Sequence, residues 1–149
     1  VGYCPDLGLD DVADLTLTRR TRTTLAIAVR EDHALAAASS VTAADLAAEE
    51  LIVYAASDGD EAVLSRLGGA IGERRAPVHL VTGTLGALAL AAAGAGVAVL
   101  PASTERFTLP GLTYRPLRGA AGVDVLTVTR PDELSGPVRA FLADLPPVA

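Results

Sequence analysis

At 149 residues and 15.1 kDa, with 50% apolar and 20% charged residues, the chain can bury a real core, which excludes wholesale disorder, collagen and coiled coil. One cysteine, Cys4, excludes an internal disulfide framework and any cysteine-based zinc site. Twelve basic residues, all arginine, against eighteen acidic ones give a net charge of −6 and a pI near 4.8, a poor balance for neutralising nucleic-acid phosphates.

Val1–Cys4 is a short apolar run ended by Pro5, the pattern of a buried strand. Leu15–Arg22 alternates apolar and polar residues as a half-exposed strand does, whereas Leu25–Val29 is apolar throughout and predicts a buried one. The polar turn Arg30–His33 leads into the small apolar plug Ala34-Leu35-Ala36, and His33 is read as a turn residue bonded to backbone. Thr42 and Asp45 have the spacing of a capping box and predict a short helix to about Glu49. Leu51–Tyr54 is the next strand. Ser57-Asp58-Gly59-Asp60 is a turn and cap, with Val63, Leu64, Leu67 and Ile71 at helical spacing behind it. A strand Val78–Val81 follows Pro77, then a helix from Thr84 to Ala93 with Leu85, Leu88 and Ala92 on one face. Gly94 and Gly96 end that helix by left-handed capping, and Val97–Leu100 is a strand. Leu112–Pro116 and Val123–Thr129 are two more strands. Ser135-Gly136-Pro137 opens a last helix with Val138, Phe141, Leu142 and Leu145 inward.

Leu80–Thr104 runs 25 residues without a charge, long enough to span a bilayer. Its Ala and Gly content, the breaks at Gly94, Gly96 and Pro101, and flanks without basic or aromatic anchors predict a buried helix, a glycine turn and a strand instead. The chain start has no signal-peptide pattern and no initiator methionine, so a fragment or processed chain in the cytoplasm is expected. Five aromatics provide no stacking platform for single-stranded nucleic acid.

Strands and helices alternate through the middle of the chain, which predicts an α/β fold with a largely parallel sheet. The extended segments 15–24 and 112–118 flank that middle, as the crossings of a two-lobed binding protein do. Residues 25–115 then form a complete lobe, and 1–24 with 116–149 form the hinge strands and part of another.

Few residues carry chemistry. Gly94-Ala95-Gly96 follows a helix and precedes a strand, the inverse of a dinucleotide-binding loop. The acidic run at Asp58, Asp60 and Glu61 lacks the spacing of a calcium loop and suits a helix start. His33 and His79 have no nucleophile at a recognisable spacing. No catalytic residue, metal site or cofactor is expected. The most suggestive segment is Thr82-Gly83-Thr84, between a strand and a helix, where free backbone N–H groups and hydroxyls make an anion site; the plain alternative is N-capping by either threonine. Ser57 also follows a strand end, where α/β sheets place ligands. Arg20 and Arg22 belong to the densest basic cluster, which on the plain reading is a solvated strand edge.

The order of segments resembles LysR-type transcriptional regulators. Leu25–Ala36 is similar to that family's strand and "DHPLA" segment, with Ala34 in place of the usual proline, and Thr84–Pro101 resembles its "aaGxGvallP" segment. Val41–Leu46, Leu51–Tyr54, Leu112–Leu117 and Pro137–Leu142 match in order, so the resemblance runs from about Val1 to Leu145. It implies a two-lobed effector domain of periplasmic-binding-protein-like fold, one lobe complete with βα units on a mixed sheet and the other partial. It implies a small anionic effector, often a carboxylate, bound between lobes. It also implies control of DNA binding through an N-terminal helix-turn-helix domain outside this chain, and association into a homodimer or larger species. The candidate ligand contacts are then Thr82, Gly83, Thr84 and Ser57, with Arg20 or Arg22 pairing with the carboxylate. The rival expectations are a transporter's solute-binding component, which shares the fold, and a small α/β enzyme.

Overall fold

A computed structural model of the chain describes residues 2–5, 14–54, 77–120, 122–132 and 135–145, with the backbone alone at 3–5 and 54. Ser57 and the helical pattern from Val63 to Ile71 therefore lie outside the described residues. The chain divides into two compact units, one of residues 24–122 and one of 1–23 with 123–149.

The larger unit is built on a six-stranded sheet. Numbering strands along the whole chain, these are β3 (Leu25–Arg30), β4 (Val41–Thr42), β5 (Leu51–Tyr54), β6 (Val78–Val81), β7 (Val97–Pro101) and β8 (Leu112–Arg118), in the spatial order β4-β8-β3-β7-β5-β6. β3 is antiparallel to both neighbours, β7 and β8, while β5 runs parallel to β6 and β7, and β4 parallel to β8. The sheet is thus mixed but largely parallel, as expected: β3 alone runs against the other five strands, and β7 and β8, parallel on either side of it, are linked by residues 102–111 without an α-helix. Leu25–Val29 is at most 2% exposed, which explains why the run is apolar without alternation.

Helix α1 (Thr84–Ala92) covers one face of this sheet. Ala87, Leu88 and Ala91 pack with Ala28, Ile52, Ala98, Leu100 and Leu112. The buried side is therefore 87/88/91 and not 85/88/92; Leu85 is 74% exposed and Ala92 is exposed as well. α1 is apolar on every side, so its sequence carries no phase from which to read the inward face. Small alanines on both strand and helix bring the two layers close together.

The helix ends as expected. Gly94 has φ +78, its N–H donates to Ala91 O (3.0 Å), and Ala95 N–H donates to Leu90 O (3.0 Å), the paired bonds of a Schellman motif. Two residues later Gly96 has φ +152, and a Cβ there would lie 2.5 Å from the Glu50 carbonyl oxygen. That carbonyl accepts the Val97 N–H at 2.8 Å, where β7 begins to pair with β5.

On the connection from β3 to β5, a 3-10 helix, η1 (Ala34–Ala37), contacts β3 and β8. The Arg115 guanidinium on β8 donates to Ala36 O of η1, to Tyr114 O and to Thr113 Oγ1, while its buried Nε has no acceptor. The Thr42–Asp45 capping box forms: Asp45 Oδ2 accepts from Thr42 N–H at 2.8 Å, and Asp45 N–H reaches Thr42 Oγ1 at 3.4 Å. The Thr42 N–H and hydroxyl, both donating to Asp45 Oδ2, hold that carboxyl below its ordinary pKa, the backbone bond contributing most. No α-helix follows, in contrast to the expectation from the box. Residues 43–48 make successive i→i+3 turns that bury Leu46.

The smaller unit holds a three-stranded antiparallel sheet of β1 (Gly2–Pro5), β9 (Val123–Thr129) and β2 (Thr16–Thr23), with β9 central. A second short 3-10 helix, η2 (Ala102–Arg106), belongs to the larger unit, and helix α2 (Gly136–Ala143) to the smaller. α2 carries Pro137 in its first turn as expected, but no residue of it is fully buried. Val138, Leu142 and Leu145 are half-buried and Phe141 is 42% exposed, so the expected inward face is only partly covered.

Gly96→Ala combines a disfavoured backbone with a clash against a hydrogen-bonded carbonyl. We expect a loss of at least about 2 kcal/mol in urea unfolding. Gly83→Ala, where a Cβ meets nothing within 4 Å, should cost less than about 1 kcal/mol.

Candidate functional site

β5 and β6 are parallel and in register from Leu51↔Val78 to Tyr54↔Val81, so their C-terminal ends open on the same sheet edge. The turn Thr82-Gly83 leads from β6 directly into α1 there. Gly83 is the N-cap residue, extended at φ −159 and ψ 147, and no side chain caps the helix. Neither threonine performs the capping that was the plain alternative. Ala87 N–H, bonded to Gly83 O at 3.1 Å, is the first amide with an intrahelical partner, so those of Thr84, Leu85 and Gly86 have none within the helix. Thr84 is half-buried, Thr82 is exposed, and Gly83 leaves open space where a side chain would stand. The helix dipole makes this end positive.

Arg20 and Arg22 lie in the smaller unit, on β2. The register between β2 and β9 shifts between Arg19 and Thr21, so Arg20 is the extra residue of a β-bulge. Its Nε donates to Oγ1 of Thr127 at 3.0 Å; Thr127 is 1% exposed and its hydroxyl also reaches Thr18 O at 3.3 Å. Among the described residues nothing else engages the Arg20 guanidinium. Arg22 stands directly across from Asp124 and makes a two-pronged ion pair with it, at 2.9 and 3.4 Å. A carboxylate ligand would have to compete with Asp124 for Arg22.

Both histidines bind locally. His33 Nδ1 accepts the Leu35 N–H at 3.1 Å, as a backbone-bonded turn residue should. His79 Nε2 lies 3.2 Å from Glu50 Oε2. At the sheet edge opposite the Thr82 turn, Arg30, Asp32, His33, Glu49, Glu50 and Gly94 line a cavity of about 530 Å³. Arg30 is ion-paired with Asp32 there. Sequence reasoning missed this cavity because its lining comes from three separated segments; the adjacent pair Glu49-Glu50 was the only visible signal. A second cavity, of about 550 Å³, lies in the smaller unit among Leu15, Val128, Arg130, Ser135 and Val138. No group of three or more His, Cys, Asp or Glu among the described residues is arranged to hold a metal ion, and no described helix is long and apolar enough to cross a membrane.

The sequence profile of the LysR substrate binding domain matches residues 6–146. The chain belongs to this family. The effector binding domain of a BenM variant is similar to this LysR substrate-binding domain with a TM-score of 0.74 and 24% identity over 88% of the chain and 63% of that domain. The BenM effector binding domain with its effector benzoate gives 0.67 and 24% over 91% of the chain and 68% of that structure. Full-length CbnR in complex with its target DNA gives 0.74 and 22% over 89% of the chain. The LysR domain described here spans 47% of that regulator. No curated protein matches the chain in sequence. The likeness confirms the mixed α/β, periplasmic-binding-protein-like architecture expected from the segment order.

Replacing Thr127 by Val leaves the Arg20 Nε and the Thr18 carbonyl without their buried partner. Unfolding in urea should show a loss of about 1–2 kcal/mol, against less than about 0.5 kcal/mol for Thr129→Val nearer the strand end.

Proposed function

We propose that this chain is the effector-sensing part of a LysR-type transcriptional regulator, that it acts in the cytoplasm, and that it binds a small carboxylate without chemical conversion. The match across residues 6–146 is the observation that carries this reading. In this proposal residues 25–115 are one lobe and 1–24 with 116–149 are part of the other, and a helix-turn-helix domain elsewhere in the regulator contacts DNA. The net charge of −6 suits a domain that does not itself hold the duplex.

The proposed effector contacts are the Thr82-Gly83-Thr84 turn, supported by its uncapped helix start, and Ser57, which follows the adjacent strand in sequence. Arg20 is the preferred guanidinium for the carboxylate and Arg22 the second, because Asp124 already occupies the fork of Arg22. BenM with benzoate supports a carboxylate as the ligand class. We further propose self-association through the β6 edge and α1. Leu80 and Leu85 are 52% and 74% exposed, and the outward positions of α1 carry only Leu, Gly and Ala.

Two outcomes test these proposals. In the full-length regulator, Thr84→Val should weaken effector affinity ten- to a hundredfold, the equivalent of about 1.5–3 kcal/mol, with DNA affinity unchanged. Isothermal titration with candidate carboxylates and a gel-shift assay measure the two; unchanged effector affinity in Thr84→Val and in Arg20→Ala places the site elsewhere. Light scattering at micromolar concentration should show a dimer or larger species, and Leu85→Glu should shift it toward monomer without unfolding it.

A further inference from the structure

His33 sits at the N-cap of η1 with φ −72 and ψ 146, and its ring does the work usually done there by Ser, Thr, Asp or Asn. The Nδ1 atom accepts the Leu35 N–H at 3.1 Å. An imidazole nitrogen accepts a hydrogen bond only while it is unprotonated, so this bond fixes the neutral ring as the tautomer with its proton on Nε2. On the other side of the ring, Nε2 lies 3.5 Å from Glu49 Oε2. Adding a proton therefore has two opposite consequences. It places an N–H against the Leu35 N–H, two donors facing each other, and it turns the contact with Glu49 into an ion pair.

Charged groups face the ring from several elements. The turn that carries His33 also carries Arg30, Glu31 and Asp32, with Arg30 and Asp32 paired to each other. From the segment entering β5 come Glu49 and Glu50, the latter in contact with His79 of β6. From β8, Arg115 reaches the Ala36 carbonyl of η1. The turn Gly94–Gly96 brings no charged side chain, only the negative end of α1. The rest of the turn does not need the ring: Ala36 N–H donates to His33 O at 2.9 Å and Ala38 N–H to Leu35 O at 3.2 Å.

We propose that His33 is a proton-operated cap: neutral, it closes the start of η1 by holding the Leu35 amide; protonated, it releases that amide and turns to Glu49. The opening is local, at the rim of the cavity that Arg30, His33 and Glu49 line, and the sheet stays intact.

The test uses the 149-residue chain and follows two NMR signals across pH, the ring nitrogens of His33 and the exchange protection of the Leu35 amide, with Leu88 as a core reference. At neutral pH the ring should carry its proton on Nε2. As the ring titrates, Leu35 protection, corrected for intrinsic exchange, should fall roughly five- to tenfold while Leu88 protection holds. His33→Asn supplies an amide oxygen that accepts at every pH, so Leu35 should stay protected and lose its pH dependence. A neutral ring protonated on Nδ1, Leu35 protection constant through the titration, or an unchanged pH dependence in His33→Asn would each overturn the proposal. The first two observations need only the unsubstituted chain.

Discussion

The larger unit depends on keeping one strand dry. β3 is paired along both edges, with β7 and β8, and Leu25–Val29 is almost completely removed from water. A strand in that position has no tolerance for a polar side chain and little for bulk, because α1 closes down on Ala28 through Ala87, Leu88 and Ala91. Its partners arrive from distant parts of the chain, so the two glycines between α1 and β7 matter as much as the strand itself. Gly94 ends the helix, and Gly96 lets the chain pass against the Glu50 carbonyl and enter the sheet beside β5.

That geometry separates two edges of the unit with different chemistry. Where β5 and β6 end, α1 begins without a side-chain cap and presents amides. Where β3 ends and α1 finishes, the chain gathers carboxylates, an arginine and a histidine around a cavity. The first edge presents backbone donors without an intrahelical partner; the second presents charged side chains in contact with one another. α1 contributes its N-terminus to one edge and its C-terminus to the other.

Apart from the two-residue β4, the strands of the larger unit were legible because their signals were categorical. Leu25–Val29 has no polar residue, and Gly94-Ala95-Gly96 punctuates an otherwise unbroken apolar stretch. Three features were not legible, each for its own reason. α1 has apolar residues on all sides, so nothing in Leu85-Gly86-Ala87-Leu88 marks which of them face inward. The Thr42–Asp45 box announces a helical turn but not its length, and the following residues settle into i→i+3 turns. The bulge at Arg20 falls in a run of Thr and Arg, where alternation has no apolar member to betray a change of phase. Of the candidate ligand residues, the strand-to-helix position of Thr82-Gly83-Thr84 could be read from local order, whereas the engagement of Arg22 by Asp124 depends on a pairing a hundred residues apart in sequence.

The bulge also separates two kinds of inheritance in β2. Thr16 to Arg19 and Thr21 to Thr23 each keep their partners on β9, and Arg20 alone has no opposite number. Removing residue 20 would close the ladder without moving any other pair to a new neighbour. The register of the sheet is thus indifferent to what stands there, and a lineage can exchange, lengthen or discard that side chain while the remainder of the strand stays under its own constraints. At such a position the ladder fixes where the residue stands, while what its side chain bonds to is set separately, here by the buried hydroxyl of Thr127.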